Sequence, residues 1–205
     1  MKKLFHNLYF WGFVIGIIVI TGIRPFLRHI PDPPPIIGKV PAFSLTNQNG
    51  NSFGSEDLKG NVYVANFIFT SCPSICPMLT KSMAKLQEKF QQENINIKLV
   101  SFSVDPETDT PEKLKVYAQK FGADPRRWTF LTGHTQNIRD LIENGFKFYL
   151  GEKAAQSDGL YEIAHTAKFA LVDPEGNLRG LYSSDESGLD EAFRRSQHVL
   201  HQKRK

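Results

Sequence analysis

The 205-residue chain is 40% hydrophobic and 22% charged. That balance excludes a disordered body and allows one domain with a sizeable core. Its net charge of +4 sits at the ends: Lys2, Lys3, Arg24, Arg28 and Lys39 precede the body, and Lys203, Arg204 and Lys205 follow it, leaving 17 basic against 20 acidic residues between Val40 and Gln202. No basic face for nucleic acid is available on such a body.

The first predicted element is an apolar helix over residues 4–23, LFHNLYFWGFVIGIIVITGI, interrupted only by His6 and Asn7. Twenty helical residues reach about 30 Å, the thickness of a bilayer core. Residues 1–30 therefore read as a single-pass membrane anchor, with Tyr9 and Trp11 suited to an interface. An uncleaved anchor is preferred to a signal peptide, because Arg24-Pro25-Phe26 follows where a small-x-small cleavage site belongs. Lys2 and Lys3 favour a cytoplasmic start, against which Arg24 and Arg28 compete. No Arg- and Ser-rich transit peptide precedes the helix, so the simplest location is a bacterial inner membrane with the body on the periplasmic or extracytoplasmic side. Pro31-Asp32-Pro33-Pro34-Pro35 makes residues 31–39 a stiff tether.

The body, residues 40–202, opens on a hairpin turning at Asn49-Gly50. Val62–Phe69 and Ile95–Val104 have the continuous apolar pattern of buried strands, and Ile75–Phe90 has helical periodicity. Thr110 is placed to cap a helix that has Pro111 at its first position and ends near Phe121-Gly122. Trp128–Leu131 is a short strand, Thr135–Glu143 a helix stopped by Gly145, and residues 151–163 an irregular loop. A hairpin of Lys168–Val172 and Leu178–Tyr182 turns at Asp173-Pro174-Glu175-Gly176, before a last helix from Ser187 to Gln202 and a basic tail, 203–205. This order predicts an α/β domain: a mixed sheet flanked by helices on both faces.

Both cysteines of the chain lie in Cys72-Pro73-Ser74-Ile75-Cys76-Pro77, where a buried strand gives way to a helix. A helix N-terminus stabilises thiolates and lowers thiol pKa values. A pair so placed can close a disulfide or clasp a soft metal ion. Three intervening residues, where thioredoxin-like oxidoreductases have two, suit the wider bite of metal binding. Two thiolates seldom complete a copper site. Of the six histidines, His6 and His29 lie in or beside the anchor, His198 and His201 on a solvated last helix, and His134 in a loop; His165 ends an irregular loop just before a core strand.

Four blocks, in order, resemble the Sco/SenC family of copper proteins: Asn66–Pro77 (NFIFTSCPSICP), Ser103–Pro111 (SVDPETDTP), Trp128–Gly133 (WTFLTG), and His165-Thr166 with Phe169–Gly176 (FALVDPEG). The resemblance covers roughly residues 40–200. It implies a thioredoxin-like fold, one copper per chain as Cu(I) or Cu(II) held by Cys72, Cys76 and His165, and a metallochaperone role in assembling the CuA centre of cytochrome c oxidase. Subunit II of that oxidase is then the expected copper acceptor, and a thiol reductant is needed for the cysteine pair. Family members often carry an acidic residue at Ser74 and an Asp at Ala164; the changes remove no ligand but alter local charge. The rival reading is a membrane-tethered thiol–disulfide oxidoreductase or a redox or copper sensor, with Cys72 and Cys76 as the redox-active pair. Such an enzyme keeps a cis-proline near the position of His165, and no proline occurs between Gly159 and Val172. Asp105-Pro106 reads as a turn and Asp109 or Thr110 as the helix cap, with support of the metal ligands or redox tuning as the alternative for the two aspartates. Met78 and Met83 read as core packing, with thioether ligation of Cu(I) as the alternative.

Overall fold

A computed structural model describes residues 8–23, 33–73, 75–155, 161–163 and 166–202. It divides at Asp32 into two units. The first contains helix α1, Leu8–Ile23. Its 16 residues span about 24 Å, and among the described residues no helix is long and apolar enough to cross a membrane. The predicted span began at Leu4, and residues 4–7 lie outside the described ones.

The second unit is built on an eight-stranded sheet of order β1-β10-β9-β4-β5-β6-β2-β3. In chain order it comprises β1 (Gly38–Lys39), β2 (Ser44–Asn47), β3 (Ser52–Gly54), α2 (Ser55–Leu58), β4 (Tyr63–Ile68), α3 (Ile75–Gln92), β5 (Lys98–Ser103), α4 (Pro111–Lys120), β6 (Trp128–Thr132), α5 (Thr135–Asp140), β7 (Lys153–Ala155), β8 (Tyr161–Ile163), β9 (Lys168–Val172), β10 (Asn177–Ser183) and α6 (Glu186–Gln202). Strands β4, β5 and β6 run parallel, with Phe67 opposite Phe102 and Phe102 opposite Leu131; their neighbours β9 and β2 are antiparallel. Every residue of β4 is buried, as the unbroken apolar run requires of a strand covered on both faces. On one face Phe67, Phe102, Phe146 and Phe148 pack with ring centroids 5.1–5.8 Å apart. On the other, Trp128 donates its indole N–H to Ser101 and Tyr117 of α4 packs on Phe130. The mixed sheet with helices on both faces is as expected.

The turn glycines are where the backbone needs them: Gly50 and Gly176 have φ of +80° and +82°, which L side chains rarely adopt. Thr110 Oγ1 accepts the Lys113 N–H at 3.4 Å, and Pro111 opens α4 as predicted. Two expectations need correction. The stretch 151–163, read as an irregular loop, contains a hairpin in which Lys153, Ala154 and Ala155 pair with Ile163, Glu162 and Tyr161. The helix expected over Thr135–Glu143 is α-helical only to Asp140 and widens into a π-helical turn over Leu141–Gly145. Residues 33–39, read as tether, lie along the domain: Arg179 donates to the Pro34 carbonyl at 2.7 Å, and β1 pairs with β10.

Candidate metal centre

The carboxyl ends of parallel strands are where α/β sheets present their sites, because the loops leaving adjacent strands open a crevice there. Here β4 leads through Phe69–Ser74 into α3, and the adjacent β5 leads through Val104–Thr110 into α4. Cys72 precedes α3 and Cys76 is its second residue. Both are buried, at 7% and 0% exposure, and neither is in a disulfide. The Cys76 N–H, in the first turn of α3, donates to Cys72 Sγ at 3.4 Å.

The expectation of lowered thiol pKa values fails at Cys76. Burial pushes its thiol up; a hydrogen bond with the Phe69 backbone opposes this, and Cys72 adds to the rise. Desolvation of the thiolate outweighs the favourable helix terminus.

Beneath the turn lies a buried polar network. Thr70 donates its N–H to both oxygens of Asp109, at 3.2 and 3.1 Å, and its hydroxyl to Oδ1 at 2.5 Å. Ser103 donates its hydroxyl to Asp109 Oδ2 at 2.6 Å and accepts the Asp105 N–H at 3.1 Å. Asp109 is thus not a helix cap, which Thr110 supplies, but a fully buried acceptor that braces the backbone two residues ahead of Cys72. Burial raises its pKa, the Ser103 and Thr70 hydrogen bonds oppose that rise, and the Asp105 charge adds to it. A second chain supports Cys76: its carbonyl accepts the Thr80 hydroxyl at 2.7 Å, and Thr80 Oγ1 lies 2.9 Å from Tyr117 Oη.

Of the three predicted ligands, Cys72 and Cys76 are brought together; His165 and its neighbour Ala164 lie outside the described residues, as does Ser74. Among the described residues no group of three or more His, Cys, Asp or Glu side chains forms a metal-binding cluster. His134 is exposed at the start of α5. His201 is exposed, but His198, expected to be solvated, is half-buried with Nδ1 lacking a partner. Met83 is a core residue at 0% exposure, whereas Met78 is 67% exposed and packs in no core. Sequence reasoning missed Thr70, Ser103 and Tyr117, although the first two stand inside the quoted blocks; their hydroxyls are too common in loops to signal a shared carboxylate.

A family model described as SCO1/SenC matches residues 36–201. The SCO1 protein homolog of Bacillus subtilis is 38% identical over 177 residues, covering 86% of this chain and 89% of the relative. Among solved structures, BsSco, described as a member of the Sco family of cytochrome c oxidase assembly proteins with a disulfide switch, superposes with a TM-score of 0.67 at 33% identity, covering 80% of this chain and 98% of that one. ScoI of Bradyrhizobium japonicum with copper bound gives a TM-score of 0.68 at 29% identity, covering 80% and 99%.

Proposed function

This chain belongs to the SCO1/SenC family, and from that premise we propose that it is a copper metallochaperone serving the CuA centre of cytochrome c oxidase. The observation that carries the proposal is the reduced, buried Cys72–Cys76 pair, joined by the Cys76 N–H···Sγ bond at 3.4 Å and braced by Asp109 through Thr70. Two soft sulfur donors on one strand-to-helix turn fit Cu(I), and an imidazole extends the set to Cu(II). His165 is the proposed third ligand. Copper is cargo here: a three-ligand site leaves a position where an acceptor thiol or imidazole can enter and take the ion stepwise. The acceptor is proposed to be subunit II of the oxidase. The apolar N-terminal stretch 4–23 is proposed to hold the domain at the inner membrane, on its extracytoplasmic side.

The same pair can close a disulfide, and the disulfide switch described for BsSco favours thiol–disulfide exchange as a second activity. His165→Ala separates the two. The variant is expected to lose Cu(II) affinity and support of oxidase assembly in cells lacking the native protein, while Cys72 and Cys76 still oxidise to a disulfide. A Cys72→Ala, Cys76→Ala double variant is expected to bind no copper. Wild-type copper binding by that double variant overturns the copper reading. Full copper affinity and oxidase assembly in His165→Ala would make the histidine structural and favour the oxidoreductase.

A further inference from the structure

Cys76 stands in α3 immediately before Pro77. A proline ring clashes with the backbone of the residue ahead of it and disfavours helical geometry there. The second cysteine is therefore held in a conformation that its own sequence opposes, and contacts that keep its carbonyl in the helical place offset that local cost. Two buried hydroxyls supply such contacts. Thr80 donates to the Cys76 carbonyl at 2.7 Å, and Tyr117 Oη of α4 lies 2.9 Å from Thr80 Oγ1. Thr80 is 0% exposed and Tyr117 7%.

A hydroxyl has one proton to give. Thr80 gives its proton to the Cys76 carbonyl, which can only accept, so the two bonds coexist when Tyr117 donates to Thr80. That fixes the direction of the relay, from Tyr117 to Thr80 and from Thr80 to Cys76. On the other side of the same residue, the Cys76 N–H donates to Cys72 Sγ at 3.4 Å. Cys76 is thus held at its carbonyl by α4 through Thr80 and at its amide by the Cys72 sulfur. The Tyr117 ring is seated separately from its hydroxyl, with its centroid 4.7 Å from that of Phe121 and 6.3 Å from that of Phe130. Removing the hydroxyl alone therefore leaves the ring packing in place.

We propose that Tyr117 is a positioning residue for the cysteine pair: through Thr80, its hydroxyl holds Cys76 helical against Pro77 and keeps the Cys76 N–H on the Cys72 sulfur. A sulfur that carries charge, as a thiolate or as a copper ligand, accepts such a bond more strongly than a disulfide sulfur. The relay therefore favours the reduced and the metal-loaded pair over the disulfide. Its consequence for copper rests on the copper reading above; its consequence for the disulfide does not. Groups that orient a metal ligand without touching the ion typically change affinity by about 10–100-fold when removed, and a relay one residue further out belongs at the lower end.

The test uses the full chain, with the Cys72–Cys76 reduction potential measured in thiol redox buffers and Cu(I) affinity by competition against a chelator of known strength. Tyr117→Phe is expected to lower the potential by about 30 mV, which is tenfold in a two-electron couple, and to weaken Cu(I) binding about tenfold. Thr80→Val is expected to do the same, and Thr80→Ser, which keeps a hydroxyl, to retain most of the wild-type values. Because Tyr117 acts through Thr80, the double variant Tyr117→Phe, Thr80→Val is expected to be no worse than Thr80→Val alone. A wild-type potential in Tyr117→Phe, even with a lower urea midpoint, would make the hydroxyl a fold-stabilising group only and overturns the proposal. Losses that add in the double variant also overturn it. Should Thr80→Val fail to fold, the potential of Tyr117→Phe decides by itself. A lowered potential in Tyr117→Phe, together with wild-type copper binding by Cys72→Ala, Cys76→Ala, overturns the copper reading and supports the positioning role.

Discussion

Each end of the central sheet buries an aspartate, and the two are treated differently. At the end away from the cysteines, Asp173 is 2% exposed and receives the N–H groups of Glu175 and Asn177, the Asn177 amide, and the guanidinium of buried Arg179 at 3.1 Å. Arg179 also donates to the Pro34 carbonyl and to Gln202 Oε1, so one cation ties the incoming chain, the β9–β10 turn and the end of α6. At the cysteine end, Asp109 is equally buried, but its donors are the neutral groups of Thr70 and Ser103. One end neutralises its buried charge with a guanidinium; the other braces its carboxylate with neutral dipoles. The lesson is that the first end is tied together by a cation and the second by neutral donors: among the described residues no lysine or arginine bonds Asp109.

The sharpest way to break this comparison is to remove the compensating cation. Arg179→Met strands Asp173 in the interior and leaves the Pro34 carbonyl and the Gln202 amide oxygen without their donor. Breaking a buried ion pair by deleting one partner costs about 3–5 kcal/mol, which urea unfolding of the apo domain measures. Copper stoichiometry of the remaining folded protein is expected to stay at the wild-type value. If stability falls by less than about 1 kcal/mol, the two ends do not differ as argued.

Asp109→Asn probes the other end and is expected to cost less, roughly 1 kcal/mol. The amide oxygen can still accept from Thr70, and the buried charge that no cation offsets is gone. The two chains should also differ in pH dependence. Burial raises the folded pKa of Asp109 above its ordinary value of 3.8. Between that value and the raised one, the native state holds a proton that the unfolded chain has released, so this group's stability contribution is present below the ordinary pKa and is lost as pH rises through the folded one. Asp109→Asn lacks that loss. The stability difference between wild type and variant, followed by urea midpoint against pH, should therefore move in the variant's favour as pH rises. A difference independent of pH would mean that the Thr70 and Ser103 hydrogen bonds cancel the burial entirely.

Sequence legibility follows the same division. The apolar run of β4, the α3 periodicity, the Asn49-Gly50 turn and the closely spaced cysteines are local signals, and each led to its element. The family blocks led to the cysteine turn for the same reason. The brace under it joins Thr70 to a carboxylate 39 residues away, and no local pattern encodes such a pair. The hairpin at Lys153–Ile163 was missed because its strands have three residues each and no alternation long enough to read. The raised Cys76 thiol was misjudged because a helix terminus is visible in a sequence while complete burial of one sulfur, at 0% exposure, is not.

The most local expected effect, and the smallest at the cysteine turn, comes from the residue beside the brace. Thr110 caps α4, and its neighbour Asp109 donates its own N–H to the Asp105 carbonyl at 2.9 Å. Thr110→Ala removes the cap, which costs about 1 kcal/mol. The backbone that positions Asp109 is held independently, by that Asp105 contact and by the donors of Thr70 and Ser103 converging on its carboxylate. The loss should therefore stay in the first turn of α4: a lower urea midpoint, with an unchanged Cys72–Cys76 reduction potential and unchanged copper affinity. A shifted potential in Thr110→Ala would show that the cap and the brace form one unit. The distinction between a stable helix start and a poised carboxylate would then have to be redrawn around the whole Asp105–Thr110 loop.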